Sequence, residues 1–197
     1  MKKTILFLMI VLSIPLFGGC FSVDDNGTSG GTQSQNNDLT KTYSTNQFSF
    51  IYPQDWDLIE PKDFTSEIPA ETQVVARNNI KNDTFTANIN VVKNDLQANK
   101  SSLDYAKEVL NRQKTGLLDY KETKRELIKI QVGGQEQETY YTEFEARLNS
   151  TEPVTRFFQT YAVKDKSGYV IMGASSLQEN TATINKLQKA VLSLKVG

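Results

Sequence analysis

The chain has 197 residues, with 22 basic and 23 acidic side chains, no histidine and one cysteine. Without histidine it lacks the commonest general base, the usual catalytic-triad partner and the usual zinc ligand. One cysteine excludes intramolecular disulfides, Cys-x-x-Cys redox chemistry and multi-cysteine metal sites, and a formal net charge of −1 gives no electrostatic case for nucleic acid.

The first twenty residues carry the clearest signal. Lys2 and Lys3 form a positive start, Ile5 to Phe17 an apolar core, and Gly18-Gly19 the small residues that a signal peptidase requires beside the scissile bond. Cys20 follows at once. The apolar run is shorter than the roughly 20 residues needed to span a bilayer. Residues 1–19 therefore read as a signal peptide and Cys20 as the first mature residue. Export would remove Lys2 and Lys3, leaving about 20 basic against 23 acidic residues, an ordinary balance for a soluble domain.

From residue 20 to 41 the composition is Asp, Asn, Gly, Ser, Thr and Gln, with almost nothing apolar after Val23. Such a segment cannot bury enough surface to offset its ordering entropy and reads as a flexible tether reaching about 25 Å. Asp24-Asp25-Asn26-Gly27 has the start of a calcium loop but not its later ligand positions, so solvated linker is the better reading.

Residues 42–197 read as one domain. Phe48 to Tyr52 alternates as a strand, Pro53-Gln54-Asp55 turns, and Trp56 to Ile59 is extended again. Pro61 and Pro69 confine the next stretch to irregular structure or a short helix. Val74–Arg77 and Phe85–Val92 follow as strands, the second with Phe85, Ala87, Ile89 and Val91 on one face. Ser102 can cap a helix to about Lys114, ended near Gly116, with Leu103, Ala106, Val109, Leu110 and Leu117 at helical spacing.

A meander comes next. Lys124–Val132 alternates, Gly133-Gly134 supplies a tight hairpin turn, and Gln135–Leu148 returns with Tyr140, Thr142, Phe144, Ala146 and Leu148 on one face and Tyr141, Glu143, Glu145 and Arg147 on the other. Val154–Val163 and Tyr169–Ser175 are apolar on both faces, as central strands are. A final helix over Asn180–Leu194 presents Ile184, Leu187, Val191 and Leu194. The expected class is α+β, an α/β/α sandwich with a central, mainly antiparallel sheet flanked by helices.

Tyr43-Ser44-Thr45-Asn46-Gln47-Phe48-Ser49-Phe50-Ile51-Tyr52-Pro53-Gln54-Asp55-Trp56 resembles the opening of PsbP-like domains, with their Tyr-Pro-x-x-Trp turn, and the order of elements is similar over the whole domain. The segment before it is similar to a prokaryotic lipoprotein signal, with Phe17 where Leu is usual. That resemblance implies a diacylglyceryl group on the Cys20 thiol, and with two or three acyl chains, each buried CH₂ contributing about 0.8 kcal/mol, it implies firm attachment. It implies a structural role for Tyr52, Pro53 and Trp56 and little about function. Plant and cyanobacterial members of that family help photosystem II retain calcium and chloride, and metal sites described there involve histidine. This chain has none, so no metal-binding, cofactor-binding or catalytic residue carries over.

Within the domain, Glu136, Glu138, Glu143 and Glu145 could form a carboxylate pair or a weak cation site, but i, i+2 spacing is also that of any solvated strand face. Tyr140, Tyr141, Phe144, Phe157, Phe158 and Tyr161 could line a pocket, although packing the core is the simpler reading. Trp56 could present an interaction surface or plug the sheet beneath Pro53. Sequons at Asn26, Asn82, Asn99 and Asn149 matter only in a glycosylating host. The reading that follows is a non-enzymatic, lipid-anchored binding or assembly protein outside the cytoplasmic membrane. Membrane contact is expected through the lipid, with an envelope or membrane protein as partner and no nucleic acid. The alternatives are an enzyme using carboxylates or tyrosines and a structural envelope protein without a ligand.

Overall fold

The structure, a computed structural model, describes residues 39–66, 68–79 and 85–197. Cys20, residues 20–38 of the expected tether and the sequons at Asn26 and Asn82 lie outside them, and the end of that tether is not linker, because Thr40 and Lys41 already pair with β2 as the start of β1. The elements in chain order are β1 (Thr40–Ser44), β2 (Phe48–Pro53), β3 (Asp57–Ile59), a 3-10 turn (Pro61–Asp63), β4 (Thr72–Arg77), β5 (Asn88–Asp95), α1 (Ser102–Gly116), β6 (Leu118–Val132), β7 (Gln135–Arg147), β8 (Thr155–Lys164), β9 (Ser167–Ser176), α2 (Thr181–Val191) and β10 (Lys195–Val196). All ten strands form one sheet in the order β1-β2-β10-β6-β7-β8-β9-β5-β4-β3. Every pairing is antiparallel except β10 on β6. Among the described residues no helix is long and apolar enough to cross a membrane.

The class is α+β with a mainly antiparallel sheet, but the strands dominate and a flat three-layer sandwich does not describe them. The sheet curls. Phe48 of β2 reaches Tyr169 of β9, with ring centroids 6.0 Å apart, although several strands lie between them in the sheet. One core gathers Phe50 and Tyr52 of β2, Val74 of β4, Ile89 of β5, Phe158 of β8 and Ile171 of β9 around Leu187, Ala190 and Val191 of α2. Twisted strands wrapped around one helix bury more of that helix than a flat layer could. Helix α1 packs on the opposite, convex face, with Tyr105, Ala106, Val109 and Leu110 against Tyr161, Val163 and Val170.

Local chemistry sets the boundaries. The side chain that caps α1 is Ser101, which accepts the Asp104 N–H at 3.0 Å, not the expected Ser102. Ser102 is buried instead, accepting the Val163 N–H at 2.9 Å and donating to Gln137 at 2.6 Å. Asn180 caps α2 through the Thr183 N–H. Gly133 and Gly134 have φ of 58° and 75°, the left-handed values that a two-residue hairpin turn needs. Several expectations shift, and strand β6 begins at Leu118, not at Lys124. Strand β5 begins at Asn88, because Phe85 leaves the line of Ala87, Ile89 and Val91 and packs with Phe144, Phe157 and Met172. The last helix ends at Val191, and the chain goes on into β10 between β2 and β6.

Candidate functional site

Strand β6 is the longest strand, and it is exposed at every position from Lys121 to Leu127. It pairs with β7 along its whole length, whereas β10 covers only Gln131 and Val132 on its other side. Two irregularities interrupt the β6–β7 register, between Leu118 and Lys121 and between Glu122 and Lys124. The second inserts Thr123 as an extra residue and so reverses which side of the sheet the following residues face.

The ribbon has two chemically distinct faces. On the convex face Arg125 lies over the Tyr140 ring, 5.2 Å from its centroid, and pairs with Glu122. Beside them Tyr120 stacks on Phe144, with centroids 5.0 Å apart. Burial, then the Glu122 carboxylate, pushes the Tyr120 phenol up to about 12. On the concave face Lys124 sits over Tyr141 at 5.3 Å and pairs with Glu126 at 3.0 Å. Glu143 accepts both the Tyr141 hydroxyl at 2.7 Å and the Gln188 amide of α2 at 3.0 Å. Burial, then the hydrogen bond to Glu143, holds the Tyr141 phenol far above its ordinary value.

Beneath α1 runs a buried polar row. Gln159 Oε1 accepts from Gln113 at 3.0 Å and from the Tyr161 hydroxyl at 2.6 Å, and its amide donates to Met172 Sδ at 3.1 Å. Thr142 completes the row at Tyr161, 3.0 Å away. Desolvation raises the Tyr161 phenol strongly. These phenols are proton-retaining groups, the reverse of activated nucleophiles or bases.

The carboxylates singled out from the sequence are not gathered into one site. Glu145 pairs with Arg156 at 3.2 Å and Lys121 at 4.0 Å, Glu136 with Lys129 at 3.1 Å, and Glu138 is exposed. Among the described residues no group of three or more acidic side chains is placed to hold a metal ion. Of the aromatic set, Tyr141 and Phe158 enter the core around α2, Phe144 and Phe157 a second cluster, and Tyr161 the packing under α1. Trp56 is 5% exposed in the main core, its backbone N–H donating to the Pro53 carbonyl at 3.1 Å. Tyr52 and Pro53 border a shallow crevice between β1–β2 and α2 that also touches Lys186 and Lys189. The unpaired β6 edge escapes sequence reasoning, since strand alternation says nothing about which neighbours a strand obtains.

A strongly curled antiparallel sheet with one helix on each face, opened by a Tyr-Pro-x-x-Trp turn, is the architecture of a known class of domains. The PsbP family model matches residues 38–196, and the chain belongs to that family. Among solved structures it is similar to cyanobacterial PsbP (CyanoP) from Synechocystis sp. PCC 6803, at 14% identity and a TM-score of 0.54 over 85% of this chain and 98% of that one. A protein from Bacteroides thetaiotaomicron matches at 12% identity and a TM-score of 0.49, over 80% of this chain and 48% of that one. The likeness to the cyanobacterial protein is one of fold. No curated protein sequence matches the chain.

Proposed function

We propose that this PsbP-family domain is a non-enzymatic binding or assembly module, held outside the cytoplasmic membrane by acylated Cys20 and a tether that runs from residue 20 to the start of β1. The supporting observation is how the charged side chains of the β6–β7 ribbon are used. Glu122 is held by Arg125, Glu136 by Lys129, Glu143 by Tyr141 and Glu145 by Lys121 and Arg156, and the Tyr120 and Tyr141 phenols are pushed upward. General acid–base work needs a group poised near the operating pH, and the Tyr120 and Tyr141 phenols are moved away from it. Tyrosine and arginine on an exposed strand are the residue types that protein interfaces favour.

Two measurements test this reading. Cys20→Ser abolishes incorporation of labelled lipid and releases the protein from membranes; continued tight retention would contradict the anchor. Pull-down with the solubilised native lipoprotein from membrane extracts returns a defined partner, and repeated recovery of none overturns the binding role.

A further inference from the structure

We propose that the outer edge of β6 pairs with the same edge of a second copy, antiparallel about a two-fold axis beside Thr123 and Lys124. Beyond Gln131 and Val132 this edge has no strand partner among the described residues. It is also long, whereas the outer strands of the sheet, β1 and β3, have five and three residues.

Exposed edges are usually guarded by like charge, most often lysine, which repels an approaching strand. The β6 edge carries both signs in a self-complementary order. Opposite residues in an antiparallel pair share a face. The extra residue Thr123 puts Glu122 and Arg125 on the same face, as their ion pair within one chain also shows. Centred between Thr123 and Lys124, the pairing sets Glu122 opposite Arg125 and Tyr120 opposite Leu127, all on the convex face. Lys121 then lies opposite Glu126 on the concave face, the side of their β7 partners Glu145 and Tyr141. Each match occurs twice, as an isologous interface requires. Register is specified too. A slip of one residue sets convex Glu122 opposite concave Glu126 in one direction and concave Lys121 opposite convex Arg125 in the other, so that opposed residues no longer share a face. Leu127, 57% exposed in one copy, gains the ring of Tyr120 as cover. One strand pair is a small interface, weak in dilute solution and strengthened when two copies share a surface.

The test uses the full chain with Cys20→Ser, so that an introduced cysteine is its sole thiol. Thr123→Cys, beside the axis, is expected to form disulfide-linked dimers several-fold faster than Asn111→Cys on α1. Adding Glu122→Arg or Arg125→Glu to Thr123→Cys abolishes that advantage, because each edge then opposes its own charge. Mixing the two charge variants in equal amounts restores it, since the paired arginines on the edge of one copy then meet the paired glutamates on the edge of the other. Far-UV circular dichroism confirms that each variant is folded. Thr123→Cys, which keeps every edge charge, tests the pairing even if the charge variants misfold. A Thr123→Cys rate equal to that of Asn111→Cys overturns the proposal, as does a mixture of folded charge variants no faster than either alone.

Discussion

Gln113 of α1 donates to Gln159 of β8 across 3.0 Å, so the helix on the convex face is fastened to the sheet by a buried amide pair. Gln159 also accepts from Tyr161 and donates to Met172. Replacing it with Leu strips donors of their acceptor inside the protein. Gln159→Leu is expected to cost about 1–3 kcal/mol. The check is a urea midpoint that falls while the m value stays constant; an unmoved midpoint would show that the row is not structural.

Gly168 and Gly116 are expected to respond to alanine in opposite directions. A Cβ on Gly168 would sit 2.5 Å from the Tyr105 ring, which is fully buried and held through its hydroxyl by Asn94 at 2.9 Å. The ring has nowhere to go, and overpacking of this kind costs about 1–3 kcal/mol. At Gly116, in the last turn of α1, a Cβ meets nothing within 4 Å. Gly116→Ala should therefore stabilise by about 0.5–1 kcal/mol through helix propensity. Thermal melts of the two variants separate these effects.

Adjacent serines at the start of α1 do unlike jobs. Ser101→Ala removes a cap at the surface and is expected to cost about 1 kcal/mol. It also removes the hydrogen bond that is the main reason the Asp104 carboxyl titrates below its ordinary value. Ser102→Ala leaves the Val163 N–H without its acceptor in the core, a larger loss of about 1–3 kcal/mol. Comparable losses at the two positions in chemical denaturation would contradict this division.

Alkali should weaken the fold in a defined window. Unfolded tyrosine releases its proton near pH 10, whereas the Tyr120 phenol is held up to about 12 and Tyr141 and Tyr161 are raised further. Between those values the unfolded chain binds fewer protons than the folded one, so stability falls as pH rises; below about pH 10 the contribution is intact. Urea midpoints followed upward from about pH 8 should be level and then decline, and Tyr141→Phe should make the decline shallower. A midpoint that does not fall above pH 10 would show that these phenols are open to solvent.

What can be read from the sequence follows from the range of the interactions. Alternation and turn chemistry place β2, β7, β8 and β9, because strand period and the Gly133-Gly134 turn are local properties. Burial of one face is local too, and so the stripe on α2 is legible. The cap of α1 reads one residue late because Ser101 and Ser102 offer the same hydroxyl, and only Val163, far along the chain, claims the second. Alternation assigns Tyr141 correctly to the face with Glu143 and Glu145, yet that face is covered at Tyr141 by α2, whose position alternation does not encode. The curl, the unpaired run of β6 and the two-residue β10 are consequences of which strands meet, and each depends on contacts across most of the domain.

Strand β10 sets an order of events. Val196 pairs with Phe48 on one side and Val132 on the other, while the Ser193 hydroxyl accepts the Ile51 N–H at 2.9 Å. The β1–β2 hairpin, among the first parts of the domain to be synthesised, therefore joins the strand pairing of the sheet only through residues made about 145 positions later. Until those residues arrive, Phe48, Phe50 and Tyr52 have no completed core to enter. A nascent chain halted before Ser193 would be left with an aromatic hairpin adrift, a target for chaperones and proteases that the finished domain no longer presents.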